Sequence, residues 1–176
     1  MADIIFVTGG AKSGKSSYAI TEAETIGRKP VYIATAEPLD DEMKDRIDIH
    51  RKERGSHWTT IEEAIDLEGA LSELNSRYDV AVIDCITLWL SNLLCRRNDG
   101  DKADLYASVS GMLGRLKDAD IDMTLYIVSN EVGMGIVPEN ALAREFRDLS
   151  GKVNRMIADI ADHVVLIVSG MPLKIK

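Results

Sequence analysis

The sequence predicts an α/β fold, a mostly parallel β-sheet with helices on both faces. Three observations lead there. Short β-branched apolar runs alternate along the chain with longer amphipathic stretches. The short runs are near-continuous in apolar residues, as strands buried on both faces are. The first of them, Asp3–Thr8, runs into a glycine-rich turn that can open a helix. The chain has 176 residues, 45% hydrophobic and 28% charged, which suits one well-buried soluble domain without an internal linker.

Taken in order, Asp3–Thr8 is the first strand, and Ser16 to about Ile26 is a helix stopped by Gly27-Arg28-Lys29-Pro30. Val31–Ala36 is a second strand. Asp40-Asp41-Glu42 supplies a cap and an acidic first turn for a helix reaching Glu53 or Arg54. Trp58–Glu62 alternates and is β-branched enough for a strand, and Asp66–Arg77 reads as an amphipathic helix. Asp79–Asp84 is an apolar strand ending in a carboxylate, and Leu88–Leu94 is apolar and helical. The polar run Arg96–Lys102 is expected to be a mobile loop. A helix near Leu105–Ala119 precedes a strand at Met123–Ser129. Ala141–Ile160 is mostly helical, and Asp162–Val168 is expected as the last strand.

Gly9-Gly10-Ala11-Lys12-Ser13-Gly14-Lys15-Ser16 is a phosphate-binding P-loop by spacing, set between a strand and a helix as that motif requires. Gly9 and Gly14 allow a backbone turn that aims successive N–H groups at phosphate oxygens. Lys15 supplies a point charge for the β- and γ-phosphates, Ser16 a hydroxyl for Mg²⁺, and the following helix its N-terminal dipole. The acid ending Val80-Ala81-Val82-Ile83-Asp84 fits a Walker-B carboxylate for Mg²⁺, because ligands gather at the carboxyl ends of parallel strands; otherwise it caps the next helix. These features define a nucleotide site and leave kinase, ATPase, GTPase and nucleotidyltransferase open. No Asn-Lys-x-Asp guanine-reading motif is present, which argues against a switch GTPase.

Met43, Ile47 and His50 share a helix face, so His50 reads either as a partly buried histidine or as a nucleophile. Arg46, Arg51, Lys52 and Arg54 gather beside it and could grip a polyphosphate, and a neutral imidazole there could attack phosphorus. His57 and His163 read as structural, Cys85 as packing, and Trp89 with Leu90, Leu93 and Leu94 as core or subunit interface. Asn130 and Glu131 follow a strand and either cap a turn or meet substrate or a neighbouring subunit. Net charge of −8 argues against a nucleic-acid or anionic-membrane surface. Two cysteines suit a reducing compartment. No signal peptide or transmembrane segment is apparent, and a cytoplasmic protein is expected.

Further motifs carry a resemblance. Tyr32-Ile33-Ala34-Thr35-Ala36, Arg46-Ile47-x-x-His50-Arg51, His57-Trp58, the run Asp84–Leu94, Ser129-Asn130-Glu131-Val132-Gly133-Met134-Gly135-Ile136-Val137-Pro138, Arg144–Asp148 and Gly151-Lys152-Val153-Asn154 follow the P-loop in order. Over nearly its whole length the chain resembles the bifunctional adenosylcobinamide kinase/adenosylcobinamide-phosphate guanylyltransferase family of cobalamin biosynthesis. The resemblance implies a P-loop NTPase (RecA-like) fold and a homotrimer. It implies ATP- or GTP-dependent phosphorylation of the aminopropanol hydroxyl of adenosylcobinamide. GMP transfer from GTP would follow through a guanylylated His50, giving adenosylcobinamide-GDP and pyrophosphate. It puts nucleotide contacts at Gly9, Gly10, Ala11, Lys12, Ser13, Gly14, Lys15, Ser16, Ala34, Thr35, Ala36, Arg51, Lys52, Glu53, Arg54, Glu62 and Asp84. Lys12 stands where the family commonly has Arg, and Gly55 where it often has Pro. A P-loop small-molecule kinase without guanylyl transfer is the first alternative, and a slow nucleotide-gated binding module the second.

Overall fold

In the computed structural model, which describes residues 3–38, 41, 43–45, 47, 51, 54–74, 77–96, 103–117 and 122–176, a seven-stranded sheet forms the centre. The chain runs through β1 (Asp3–Gly9), α1 (Lys15–Ile26), β2 (Pro30–Ala34), β3 (Thr59–Glu62), α2 (Leu67–Ser72) and β4 (Val80–Asp84). It continues through α3 (Ile86–Arg96), α4 (Ala103–Leu116), β5 (Thr124–Asn130), α5 (Ala141–Ile160), β6 (His163–Val168) and β7 (Met171–Lys174). The strand order is β3-β2-β4-β5-β1-β6-β7. The first six strands pair in parallel, and β7 runs antiparallel to β6. Asp41, Met43, Lys44, Asp45, Ile47 and Arg51 are helical.

The apolar strands explain the layering. Side chains alternate across a strand, so Ile4, Phe6, Ile83, Leu125 and Ile127 face one helical layer with Trp89, Leu90 and Met112. Ile5, Val7, Val82, Tyr126 and Val128 face the other layer, with Ala19, Ile20 and Ala23 of α1. Burial on both faces is what the near-continuous apolar runs encode. Trp89 is fully buried and its indole N–H donates to the Ile65 carbonyl at 2.7 Å, so this residue belongs to the core. Asn140 caps α5, its side-chain oxygen accepting from Ala143 N–H at 3.0 Å. No described helix is long and apolar enough to cross a membrane.

Three expectations need correction. The strand at His163–Val168 is not the last, because the chain turns at Ser169-Gly170 and adds β7. Both turn residues have positive φ (51° and 80°), which reverses the chain in two residues. The helix expected over Asp66–Arg77 ends at Ser72; Asp66 is its N-cap, and Leu74 is already outside it although fully buried. Thr35 and Ala36 lie beyond β2, which stops at Ala34. Arg96 closes α3, and the rest of the expected loop, residues 97–102, lies outside the described residues.

Candidate active site

Parallel pairing brings the loop and the acid to the same end of the sheet. Gly9, the last residue of β1, is in register with Asn130 of β5 on one side and Ile167 of β6 on the other. Asp84, the last residue of β4, is in register with Ala34 and Val128. β5 therefore lies between the strand feeding the loop and the strand ending in the carboxylate. A cavity of about 900 Å³ opens at this end, within the range of small-molecule sites.

The loop folds as its glycines demand. Gly9 has φ 152°, and a Cβ there would stand 2.4 Å from the Ile167 carbonyl oxygen. Gly14 has φ 99° and precedes the first turn of α1. Lys12 also takes positive φ, 55°, a conformation non-glycine residues seldom adopt. The Gly170 N–H donates to the Ser13 carbonyl at 2.9 Å, tying the loop to the β6–β7 turn. Lys15 is buried, and its ammonium donates to the Gly10 carbonyl at 2.6 Å across the loop.

Lys12, Ser13, Gly14, Lys15, Ser16, Ala34, Ala36, Arg51, Arg54, Glu62 and Asp84 all line the cavity. Gly9, Gly10 and Ala11 belong to the loop but are not on the cavity wall. Thr35 is buried away from it: its hydroxyl donates to the Cys85 carbonyl and accepts from the Cys85 N–H, both at 2.8 Å. Its main-chain carbonyl holds the Asn92 amide at 2.8 Å, so Thr35 fixes the turn that carries Asp84. Met43 and Ile47 line the cavity together, consistent with their shared helix face. His50, Lys52 and Glu53 lie outside the described residues, as does Arg46. Arg51 is ion-paired with Glu62.

Tyr32 also lines the wall, although no role was read for it from the sequence. Tyr32 is 3% exposed, and its hydroxyl donates to Asp84 Oδ2 at 2.6 Å. The Arg54 guanidinium lies 3.8 Å from the Tyr32 ring centroid, and its buried Nε has no hydrogen-bond partner among the described residues. Burial, then the adjacent Asp84 charge, pushes the Tyr32 phenol well above its ordinary range, and Arg54 offsets part of this. Cys85 is buried beside Asp84, and burial pushes its thiol up to about 11, which disfavours the thiolate. Asn130 reaches the wall from β5, donating its side-chain amide to Thr87 Oγ1 at 2.9 Å, while Glu131 accepts from Gly133 N–H at 2.7 Å. Strand parity could have flagged Tyr32, since it shares a face with Ala34 two residues on. His57 lies 3.3 Å from Glu24, with its ring 6.2 Å from that of Trp58, and His163 opens β6 in register with Ile5.

A parallel sheet, a P-loop at the end of one strand and a carboxylate at the end of a strand one removed define a P-loop nucleotide-binding protein. An ATPase from the type III secretion system of pathogenic bacteria shares this fold, with a TM-score of 0.56 at 10% identity, covering 93% of this chain and 50% of that one. Residues 5–175 match the family described as cobinamide kinase / cobinamide phosphate guanyltransferase, and the chain belongs to that family. It is 43% identical to the bifunctional adenosylcobalamin biosynthesis protein CobU of Salmonella typhimurium over 188 residues, covering 98% of this chain and 99% of that protein. It is 39% identical to CobU of Escherichia coli, covering 98% and 99% of the two chains. It is 37% identical to CobP of Pseudomonas aeruginosa, covering 100% and 98%.

Proposed function

We propose that this chain phosphorylates the aminopropanol hydroxyl of adenosylcobinamide with ATP or GTP and then transfers GMP from GTP to that phosphate. The observation that carries the reading is membership of the kinase/guanyltransferase family from residue 5 to residue 175, on a chain whose P-loop residues 12–16 and Asp84 line one cavity. In the first step the substrate hydroxyl forms a bond to the γ-phosphorus, the bond to the β-bridging oxygen breaks, and the nucleoside diphosphate leaves. The hydroxyl proton passes to solvent or to a base.

In the second step a ring nitrogen of His50 forms a P–N bond to the α-phosphorus of GTP, and pyrophosphate departs. A phosphate oxygen of adenosylcobinamide phosphate then displaces the imidazole, giving the diphosphate linkage and freeing His50. The role of His50 rests on the Arg46-Ile47-x-x-His50-Arg51 pattern. Splitting the transfer lets one cradle serve two acceptors. Lys15 and the inward N–H groups of the loop hold the charge that builds on the leaving phosphates, more strongly in the transition state than before it. The cationic Arg51 and Arg54, which line the same cavity, grip the polyphosphate.

Mg²⁺ fits this donor set. The cavity offers hard oxygen ligands, the Ser16 hydroxyl and the Asp84 carboxylate. Among the described residues no group of three or more His, Cys, Asp or Glu could hold a metal without help. An ion that keeps water and phosphate oxygens in its shell suits such a site. When bound, it would neutralise phosphate charge; Ser16 and Asp84 would hold it. We also infer a homotrimer in the cytoplasm. The exposed apolar Met134, Ile136 and Val137, on the loop after β5, support a subunit contact.

The test is covalent labelling. The protein is incubated with α-³²P-GTP and Mg²⁺, denatured, and examined for acid-labile, alkali-stable label. Label on wild type that is absent from His50→Ala is expected. A wild type that takes no label while still moving γ-phosphate to adenosylcobinamide would reduce the activity to a kinase.

A further inference from the structure

Asp84 does not stand alone at the end of β4. Tyr32 projects from the neighbouring strand β2, buried at 3% exposure, and its hydroxyl donates to Asp84 Oδ2 at 2.6 Å. The ring is held on two sides. The Arg54 guanidinium stacks on one face at 3.8 Å, and Trp58 meets the ring at 6.1 Å with an interplanar angle of 85°. Trp58 is anchored in turn by its indole N–H, which donates to Glu24 of α1 at 3.0 Å. α1 is the helix that begins at Lys15. One buried aromatic thus joins the carboxylate of β4, the arginine at the end of the basic segment and the helix behind the P-loop.

We propose that Tyr32 is a positioning residue for the nucleotide–Mg²⁺ complex: its hydroxyl fixes the Asp84 carboxylate and its ring aims Arg54 into the cavity. The inference rests on the reading of Asp84 as a Mg²⁺ ligand. A carboxylate has two oxygens and rotates about its last torsion; a charge-assisted hydrogen bond to one of them leaves the other pointed at the cavity. The phenol is a suitable donor because its O–H reaches Asp84 Oδ2 from the neighbouring strand. The ring suits Arg54 because a stacked guanidinium keeps its N–H edges free, and the buried Arg54 Nε has no partner among the described residues. A purely packing role needs the ring and not the hydroxyl. The two therefore separate in Tyr32→Phe, which keeps the ring and deletes one oxygen.

The experiment measures binding of a non-hydrolysable GTP analogue by calorimetry, with Mg²⁺ and with EDTA, for wild type, Tyr32→Phe, Asp84→Asn and the double variant. Melting curves accompany each. Wild type is expected to bind more tightly with Mg²⁺, and Tyr32→Phe to lose on the order of three- to tenfold of that gain, the net size of one typical hydrogen bond. Its affinity in EDTA is expected to match wild type. Adding Tyr32→Phe to Asp84→Asn is expected to change nothing further, because the hydroxyl acts through that carboxylate. Equal Mg²⁺ gains in wild type and Tyr32→Phe would overturn the inference, and so would an equal loss in Mg²⁺ and EDTA. A wild type that gains nothing from Mg²⁺ would instead overturn the reading of Asp84, and the inference with it. If Tyr32→Phe unfolds, Arg54→Lys provides the second arm: it keeps the charge and loses the planar stack. Its nucleotide affinity is expected to fall in both Mg²⁺ and EDTA; unchanged affinity would overturn the role of the ring.

Discussion

Gly9→Ala is predicted to destabilise the protein severely, while Gly10→Ala, one residue on in the same motif, is predicted to be nearly silent. At Gly9 an added Cβ would stand 2.4 Å from the Ile167 carbonyl oxygen and 2.9 Å from Ser13 Oγ, where ordinary contacts begin at 3.4 Å. The carbonyl belongs to β6, in register with Gly9 itself, so it can retreat only by parting the two strands. Position 9 also holds φ 152°, which alanine adopts only under strain. Overpacking against a rigid neighbour and a disfavoured backbone together come to roughly 2–5 kcal/mol. For a chain of this size that lowers Tm by roughly 5–15 °C. At Gly10 nothing lies within 4 Å of the added carbon. Differential scanning calorimetry of the two variants beside wild type is the assay. A Gly9→Ala melting temperature within a degree or two of wild type, or equal losses at both positions, would refute the steric reasoning.

Other consequences concern parts of the fold away from the loop. Asn140→Ala removes the oxygen that accepts from Ala143 N–H, and should lower the unfolding free energy by about 1 kcal/mol in urea titrations. At pH 8 iodoacetamide should alkylate the exposed Cys95 and spare the buried Cys85, with both reacting in denaturant; mass spectrometry counts the adducts. The same burial has a sign in stability. The folded protein keeps the Cys85 proton up to about 11 whereas an unfolded thiol loses it near 8.5, so this residue's contribution is complete below that lower value and declines as pH rises between the two. Cys85→Ala should have a shallower loss of stability over that window, and parallel curves would contradict it.

How much of this was legible in the sequence depends on the range of the interactions involved. The P-loop, the carboxylate ending β4 and the alternation of strands with helices obey local rules, and the parallel sheet with covered faces follows from them. Ala141–Ile160 is helical over the expected span, since Asn140 is a capping residue and the amphipathic period is unbroken. β7 escaped because it is four residues long, contains Pro172 and exists only by pairing with β6. The early end of α2 was hidden because Leu74 continues the apolar period while leaving the helix. At the site, Tyr32 reads as one more strand residue until β4 is laid beside β2 and its hydroxyl meets Asp84. Thr35 shows the converse, a residue next to the site whose side chain serves the backbone of Asp84-Cys85 rather than the cavity.

The most direct measurement follows both group transfers on one substrate. Purified protein, Mg²⁺, GTP and adenosylcobinamide are mixed, and the corrinoid products are resolved in time by liquid chromatography and mass spectrometry. Bifunctional transfer predicts adenosylcobinamide phosphate first, then adenosylcobinamide-GDP with pyrophosphate in equal amount, over many turnovers. Phosphate that accumulates without ever becoming the GDP adduct, or product that stops at one equivalent per chain, would contradict it.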